Sequence, residues 1–495
     1  MKIFWIFFLA TVATVRGQFD PHYVAGRSVM VFLMDWKYED VALECERFLG
    51  PMGFAGVQVS AASENDIVTS PLRPWWERYQ VVSYKIGSRS GDADSFADMC
   101  TRCNNVGVRV YVDAIFNNMG GMGIMNGTAG SLGDSITRTF PAVPYTILNF
   151  HNPPCSITDY NNTQQVRNCD LVGAPDLDQS QPYVRDRIVG YLNHLTSLGC
   201  AGFRIDSAKH MWPTDLQAIY SSVIDLNTAQ GFPAGSRSFI FQEVIDSGNE
   251  AIKKTDYSGI GDVTEFLYSY YLTDIFKGNQ PLSTLSTWGQ SNWGFLPSDR
   301  ALVFVENHDN ERGQYESAAL NYKDGKPYVM AVAFALAHPF GNLRIMSDFD
   351  WTTYDQGPPM DANQDIISPT INADGSCGSG WVCQHRWRQI YGMVGFRNTA
   401  DTADVTNFWS NGNNQIGFAR QGRAFVAFNN NDADMNQTLQ TTLPAGTYCD
   451  VITGVAENGA CTGRTIVVAN DGTANFVILT SDADGVIAIH VDQKL

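Results

Sequence analysis

The chain has 495 residues, of which 44% are hydrophobic and 12% aromatic, so it is globular and long enough for several domains or for one barrel with attachments. Its 33 Lys and Arg residues stand against 51 Asp and Glu, a formal net charge of -18 at pH 7. This acidic balance argues against a nucleic-acid backbone or an anionic membrane as a partner and is compatible with a neutral substrate.

Residues 1–17 have the pattern of a secretory signal peptide. Lys2 precedes an apolar run from Ile3 to Val15, which is short for a membrane span. We therefore expect a secreted, extracellular protein whose mature chain begins near Gln18. Later apolar runs do not reach transmembrane length, so we expect no membrane association.

Short apolar runs that are typical of strands alternate with amphipathic, helix-like segments along most of the chain. Such alternation predicts a parallel sheet, and about six runs are clear. We infer a (β/α)8 TIM barrel over residues 18–116 and 178–398, in which two strands stay unassigned. The six runs are GVQVS from Gly56, VRVYVDAIF from Val108, GFRID from Gly202, SFIFQEV from Ser238, ALVFVEN from Ala301 and LRIMS from Leu343.

Two segments break this alternation. Residues 117–177 are rich in Gly, Asn, Pro and Thr, which predicts a small irregular domain inserted after one strand. Residues 399–495 contain apolar runs separated by Gly, Asn and Asp turns, which predicts a C-terminal β-sandwich domain.

Ten cysteines in a secreted chain indicate disulfide bonds. Cys377 lies close to Cys383 in the sequence, as Cys449 does to Cys461, and a further pair flanks a polar loop at positions 155 and 169. Spacing alone leaves open the pairing of Cys45, Cys100, Cys103 and Cys200. The sequence also contains possible N-glycosylation sites at Asn126, Asn161 and Asn436.

Four acidic residues, Asp113, Asp206, Glu243 and Asp309, lie at or just after apolar runs. In a parallel barrel such strand ends converge on one mouth, where active sites lie. One carboxylate in this position is more often a helix N-cap or a turn former, but four together favour glycoside hydrolysis or a metal site. Arg204 lies on the same side of its strand as Asp206 and would keep that carboxylate ionised. Glu243 has no basic residue in its own run, which suits a general acid.

The stretches VDAIFNN, GFRIDSAKH, FQEVID and FVENHDN, in this order, resemble the four signature regions of the animal α-amylases. The resemblance covers essentially the whole mature chain, since PWWERYQ from Pro74, ECERFLGP from Glu44, QHRWRQIYGMVGFRN from Gln384 and LPAGTYCDV from Leu443 extend it. It implies a retaining, calcium-binding and chloride-activated endohydrolase of α-1,4-glucans. The implied partners are starch, glycogen and maltooligosaccharides, and we expect a monomer.

The resemblance also implies roles for single residues. Asp206 would be the nucleophile, Glu243 the general acid and base, and Asp309 the stabiliser of the transition state. Aromatic rings would stack on the apolar faces of glucose, although without the resemblance the PWW stretch is equally typical of a core. The predicted substrate-binding residues are Trp75, Trp76, Tyr79, Asp113, Lys209 and His308.

Two ions and four disulfides follow from the same resemblance. Calcium would bind the side chains of Asn117 and Asp176 and the carbonyl oxygens of Arg167 and His210, all of them hard oxygen ligands. Chloride would lie among Arg204, Asn307 and Arg344, where it would tune the proton affinity of Glu243. A turn former and a surface ion pair are the ordinary alternatives for Asn117 and Arg344. The implied disulfides are Cys45–Cys103, Cys155–Cys169, Cys377–Cys383 and Cys449–Cys461, leaving Cys100 and Cys200 as buried thiols.

The chain departs from the family at three places near the expected cleft. Asn118 stands where the family has a histidine that hydrogen-bonds the sugar, and losing one such bond costs about 1–3 kcal/mol. After Gly313 the sequence QYESAALNYKDGK replaces a glycine-rich loop that contains a histidine. The run VQVSAASEND lacks prolines that the family tends to have after the serine.

These observations leave three hypotheses. The leading one is a secreted digestive α-amylase. A second is an amylase-like protein that binds glucans with weak or no catalysis, which Asn118 and the replaced loop favour. A third keeps the barrel for a glucosidase or transglycosylase on short α-glucans, which the lengths of the products would distinguish from endohydrolysis.

Overall fold

The computed structural model describes residues 18–313 and 318–495, so the predicted signal peptide and part of the replaced loop after Gly313 lie outside the description. Its helices are α1 Tyr38–Glu44, α2 Ala93–Asn105, α3 Thr163–Asn168, α4 Pro182–Leu198, α5 Pro213–Ser222, α6 Phe266–Phe276, α7 Lys326–Ala337 and α8 Arg388–Ala400. In this part of the chain no helix is both long and apolar enough to span a membrane.

The strands fall into three groups along the chain. Those before α6 are β1 Val29–Leu33, β2 Gly56–Val59, β3 Ser63–Asn65, β4 Val81–Ser88, β5 Gly91–Asp92, β6 Arg109–Ala114, β7 Ile124–Asn126, β8 Leu132–Asp134, β9 Gly202–Ile205, β10 Phe239–Gln242 and β11 Asp262–Thr264. Two more, β12 Ala301–Val303 and β13 Asn342–Ser347, come before α8. The last group is β14 Val405–Ser410, β15 Gln415–Arg420, β16 Ala424–Asn429, β17 Met435–Gln440, β18 Gly446–Cys449, β19 Ala456–Glu457, β20 Ala460–Cys461, β21 Thr465–Val468, β22 Thr473–Ile478 and β23 Val486–His490.

Eight parallel strands close into a barrel in the order β1-β13-β12-β11-β10-β9-β6-β2, which confirms the predicted fold class. The six runs recognised in the sequence all supply barrel strands, and β1 and β11 are the two that stayed unassigned. β11 has only three residues and begins with the polar Asp262, so it carries almost no periodic signal. β1 is apolar throughout, and such a short run cannot be told from a buried helix by its pattern.

The helix α4 shows how the sequence returns the chain to the barrel. It begins with Pro182, whose missing N–H costs nothing at a first helical position. Its buried stripe includes Ile188, Leu192 and Leu195, spaced so that they share one face. The helix ends at Gly199, whose φ of 112° favours glycine, and β9 begins three residues later.

Residues between β6 and α4 form the predicted irregular insertion, with the short hairpin β7–β8 and the helix α3. Glu64, on β3, holds this hairpin through its carboxylate Oε1, which accepts from the backbone N–H of Ala129 at 2.9 Å and of Ser131 at 2.7 Å. The burial of Glu64 is therefore compensated by hydrogen bonds from the inserted segment.

The C-terminal module consists of two four-stranded antiparallel sheets, β14-β15-β16-β23 and β17-β22-β21-β18. Phe425 and Phe476, one from each sheet, meet with ring centroids 4.7 Å apart in the core between them. The first sheet also packs on the barrel through α7, because Phe334 contacts Phe418 and Phe428 at centroid distances of 6.0 and 6.1 Å. The predicted β-sandwich is thus present.

All four predicted disulfides are formed: Cys45–Cys103, Cys155–Cys169, Cys377–Cys383 and Cys449–Cys461. Cys100 and Cys200 are buried free thiols, also as predicted. The pairing that spacing alone left open is settled by packing, since Cys45 follows α1 and Cys103 lies on the adjacent helix α2.

Candidate active site

Four carboxylates meet around one buried guanidinium at the mouth of the barrel. Arg204 Nη1 donates to Asp113 Oδ1 and Oδ2 at 2.7 and 2.8 Å and to Asp206 Oδ1 at 2.9 Å. Its Nη2 lies 3.2 Å from Glu243 Oε2 and 3.5 Å from Asp309 Oδ2. The strand ends therefore bring together all four acidic residues predicted from the sequence.

Strand register explains this convergence. Arg204 on β9 is paired with Asp113 on the neighbouring strand β6, so both side chains lie on the same side of the sheet. Asp206 follows two residues after Arg204 and shares that side by the twofold alternation of a strand. Only 1% of Arg204 is exposed, so its interactions with the carboxylates are weakly screened by solvent.

The protonation of the site follows from four carboxylates sharing one nearby cation. Burial, and then the charge of Glu243, raise the pKa of Asp206 well above its usual range, and Arg204 offsets only part of this rise. The same two causes raise the pKa of Asp309 to about 7. The expectation that Arg204 keeps Asp206 ionised considered one neighbour only. The crowding of buried carboxylates around Arg204 therefore outweighs its one positive charge at Asp206.

Two turns, one after β9 and one after β12, hold three of the four carboxylates. Ser207, at a φ of 51°, donates its backbone N–H to Glu243 Oε2 at 2.7 Å and its hydroxyl to Asp206 Oδ2 at 3.0 Å. Asn307 donates its amide to Asp309 Oδ2 at 2.9 Å, and its Oδ1 accepts the N–H of Asp309 at 3.2 Å. These contacts orient three of the four carboxylates without further cations.

An aromatic wall, defined by Trp75, Trp76, Tyr79 and His308, borders the carboxylates. The Tyr79 hydroxyl donates to Asp113 Oδ2 at 2.8 Å and lies 2.6 Å from His308 Nε2. The rings of Tyr79 and His308 stack, and burial beside Arg204 lowers the pKa of His308 well below its usual range. The neutral imidazole can therefore donate from Nε2 to the tyrosine oxygen.

The predicted sugar contacts differ in how accessible they are. Trp75 is only 4% exposed and donates its Nε1 to Tyr354 O at 2.8 Å, so it is a buried part of the wall. Trp76 and Tyr79 are half-buried and present open ring surface. Lys209 is committed to protein partners, because its ammonium donates to Ile245 O at 2.7 Å and pairs with Glu250.

The predicted chloride residues include two buried guanidinium groups. Arg344 is 1% exposed, and its Nη1 donates to Gln58 Oε1 at 2.7 Å, with no carboxylate in ion-pair contact among the described residues. Burial, and then the charge of Arg204, lower the pKa of Arg344 to about 10. Arg344 Nη2 lacks a hydrogen-bond acceptor, and Arg204 Nη2 has ion-pair contacts to Glu243 and Asp309 but no hydrogen bond. A small anion between them fits these orphaned donors.

The predicted calcium residues leave two buried oxygen atoms without a donor, Asn117 Oδ1 and Asp176 Oδ1. A bridge between Asn118 and Asp176 brings these segments side by side, while Asp176 Oδ2 lies 2.6 Å from His151 Nδ1. Arg167 lies on α3. His210 is held next to it, because His210 Nδ1 hydrogen-bonds the carbonyl oxygen of Val166, the residue before Arg167, at 2.9 Å. Orphaned amide and carboxylate oxygens fit a hard cation. Across residues 18–313 and 318–495 no group of three His, Cys, Asp or Glu side chains is placed to hold a metal.

Comparison with known proteins agrees with this geometry. Residues 407–492 match the family model of the α-amylase C-terminal all-β domain. An α-amylase from Tribolium castaneum is 54% identical over 98% of this chain and 98% of its own length, and an α-amylase-related protein from Drosophila ercepeae is 51% identical with 98% of both chains covered. A mutant of α-amylase I from Eisenia fetida, solved with maltohexaose, superposes with a TM-score of 0.90 at 41% identity, over 95% of this chain and 98% of that chain. The chain belongs to the α-amylase family.

This amylase-type glycoside hydrolase differs from the family pattern at Asn118, and the structure shows what that side chain does. Asn118 is buried, its Nδ2 donates to Met119 O at 3.1 Å, and its Oδ1 accepts from Asn117 Nδ2 at 3.3 Å. The side chain of Asn118 is thus hydrogen-bonded to its sequence neighbours, while Asn117 Oδ1 has no donor.

Three partners of the amylase site were missed by reasoning from the sequence. They are Gln58 beside Arg344, Glu250 beside Lys209 and His151 beside Asp176. Gln58 left a usable signal, since it is the polar residue inside the buried run GVQVS. Glu250 and His151 lie outside the regular strands and helices and left none.

Proposed function

We propose that the chain is a secreted α-amylase that hydrolyses internal α-1,4-glucosidic bonds of starch, glycogen and maltooligosaccharides with retention of configuration. The observation that carries this proposal is the contact of Arg204 with Asp113, Asp206, Glu243 and Asp309 at one barrel mouth. The structural match to an amylase complexed with maltohexaose supports an α-glucan as the substrate class.

In the first step Asp206 attacks the anomeric carbon while Glu243 gives its proton to the departing glycosidic oxygen. This step breaks the C–O bond and forms a covalent glycosyl ester. In the second step Glu243 takes a proton from water, the water oxygen bonds the anomeric carbon, and Asp206 leaves as a carboxylate. Two inversions at one carbon amount to retention.

Asp309 would stabilise the positive charge that develops on the sugar ring. Asn307 holds Asp309 by one hydrogen bond to its carboxylate and one from its backbone N–H, so little reorganisation is needed when the charge appears. Asp113 stays bound to Arg204 and Tyr79, which fits a role in holding the arginine and the wall in place. Trp76 and Tyr79 offer the ring faces on which glucose units can stack.

The two ions have separate roles in the proposal. Chloride, when bound, would offset the positive charge of Arg204 and Arg344 and so raise the proton affinity of the nearby Glu243. Asn117, Asp176 and the carbonyls of Arg167 and His210 would hold calcium, which would tie the inserted segment to the ends of β6 and β9. Secretion accords with the four disulfides.

The deciding experiment is starch hydrolysis by the purified protein with calcium present and chloride added or withheld, followed by reducing ends and product lengths. Chloride-stimulated release of mixed short maltooligosaccharides is the expected result. Release of glucose alone, or transfer to longer products, would indicate the glucosidase or transglycosylase instead. Starch binding without turnover would favour the amylase-like binding protein, which the commitment of Asn118 to its neighbours makes the second candidate.

A further inference from the structure

Behind the aromatic wall lies a second buried group of charges that the catalytic mechanism does not use. Glu311 and Asp348 are both 0% exposed, and Arg312 is the guanidinium in contact with them. Arg312 Nε lies 3.3 Å from Glu311 Oε1, and Arg312 Nη2 lies 3.6 Å from Asp348 Oδ2. Glu311 follows Asp309 by two residues, and Asp348 follows the end of β13, so both belong to the barrel mouth.

Glu311 and Asp348 both contact the Arg312 guanidinium, and two ionised carboxylates can only accept hydrogen bonds, so neither can satisfy the other. Asp348 Oδ1 already accepts the N–H of Phe349 at 2.7 Å. The buried oxygens Glu311 Oε2 and Asp348 Oδ2 have no hydrogen-bond partner. A single proton between the side chains satisfies both orphaned oxygens and leaves one negative charge for one guanidinium.

We propose that Glu311 and Asp348 share one proton and that Glu311 is thereby a positioning residue, which fixes Arg312 beneath the aromatic wall of the cleft. The inference deepens the proposed function, because the wall is the surface on which the glucan would bind. The shared proton itself does not depend on that function.

Arg312 connects Glu311 and Asp348 to residues that border the cleft. Its Nη1 donates to Tyr354 O at 3.2 Å and to Gln356 O at 2.8 Å, and Trp75 Nε1 donates to the same Tyr354 oxygen at 2.8 Å. Its guanidinium carbon also lies 5.6 Å from the centre of the Trp75 ring. Trp76 Nε1 donates to Asp355 Oδ1 at 2.8 Å. The short segment 354–356 therefore accepts hydrogen bonds from the arginine and from both tryptophans.

Loss of the shared proton would place two buried carboxylates against one arginine. Burial raises the pKa of Glu311 well above its usual range, and the charge of Asp348 raises it further. Burial also raises the pKa of Asp348, while Arg312 lowers it. The other ionisable groups that act on the pair are Glu306, Tyr322, Lys323 and Tyr328. Of these only Lys323 is a cation, and it is exposed beside Trp351.

The test is the variant Glu311→Gln, whose amide can donate to the Asp348 carboxylate without any shared proton. A carboxyl group with a raised folded-state pKa destabilises the folded protein as pH rises above the unfolded pKa, because only the folded state keeps the proton. As pH rises above about 5, wild-type thermal stability should therefore fall more steeply than that of Glu311→Gln. Glu457→Gln, at an exposed position, is the matched control and should follow the wild type.

Two further measurements separate this inference from the proposed function. Infrared difference spectra at about pH 7 should show one protonated carboxyl band lost in Glu311→Gln and none lost in Glu457→Gln. In assays on starch, the wild-type KM should rise about threefold or more towards alkaline pH, with a smaller effect on kcat, and Glu311→Gln should reduce that rise. Glu311→Ala, which supplies no donor, should raise KM at every pH.

The outcomes are distinguishable. Stability curves of wild type and Glu311→Gln that stay parallel, with no carboxyl band lost, would refute the shared proton. A uniform loss of stability in Glu311→Gln at every pH would also overturn it, because the carboxylate would then be needed in its ionised form. If the band is lost in Glu311→Gln as expected but the wild type never turns over starch, the shared proton is supported and only the proposed function is contradicted.

Discussion

Arg204 Nη1 lies 2.9 Å from Asp206 Oδ1, within hydrogen-bonding distance of the carboxylate two residues further along its own chain. The same nitrogen also donates to both oxygens of Asp113 on the neighbouring strand. The buried guanidinium of Arg204 thus orients Asp206, the proposed nucleophile, and links it to Asp113 on the barrel strand β6. The other carboxylates approach its second nitrogen, so a change at any of them alters the charge felt by the rest.

Asp206→Asn is expected to lower kcat by about a thousandfold or more, because an amide cannot form the glycosyl ester. The shape and the contact with Arg204 are nearly preserved, so the variant should fold. Activity on starch and a thermal unfolding curve check both points. Asp98→Asn on the exposed part of α2 is the matched control and should keep full turnover. Full turnover by Asp206→Asn would refute the assignment of the nucleophile.

The fold was predictable wherever the local pattern was strong. Strands of four to six residues that contain several apolar side chains, such as β9 and β13, could be recognised without tertiary information. The three-residue strand β11 could not, since the closed sheet and not its own sequence makes it a strand. The carboxylates at the strand ends were likewise found from their context alone.

The contacts among site residues were less predictable, because they depend on closure of the barrel. Gln58 on β2 meets Arg344 on β13 although 286 residues separate them and β1 lies between their strands. The contact between Arg204 and Asp309 similarly joins strands that are not neighbours. A side chain that reaches across the barrel interior leaves no spacing in the sequence from which it could be inferred.

Arg344→Gln is expected to remove the dependence of activity on chloride. The variant deletes one of two buried guanidiniums with an orphaned Nη2, so the anion would lose half of its countercharge. The rate on starch as a function of chloride concentration checks this, with acetate keeping the ionic strength constant. Arg102→Gln on α2 serves as the control for loss of an arginine. A response in Arg344→Gln that equals the wild type would place the anion elsewhere.

Removal of calcium is expected to lower the thermal stability of the wild type. An ion present at a hundred times its dissociation constant stabilises the folded state by about 2.7 kcal/mol, which corresponds to several degrees in Tm. Unfolding curves with calcium and with a strong chelator measure the difference. Asp176→Asn weakens the proposed site, so its curve should respond much less to the chelator. Equal curves for the wild type in both conditions would argue against bound calcium.

Asn118→His is expected to raise the turnover of starch about tenfold or more, if one transition-state hydrogen bond is worth about 1–3 kcal/mol. The asparagine side chain is bound to Met119 O and Asn117, so in this structure it holds its own turn instead of facing a sugar. Asn118→Ala is the matched control, because it releases the same turn without supplying an imidazole. A gain in kcat/KM for histidine but not for alanine would show that position 118 borders the cleaved bond. Equal rates for wild type and Asn118→His would show instead that this chain stabilises its transition state without a group at that position.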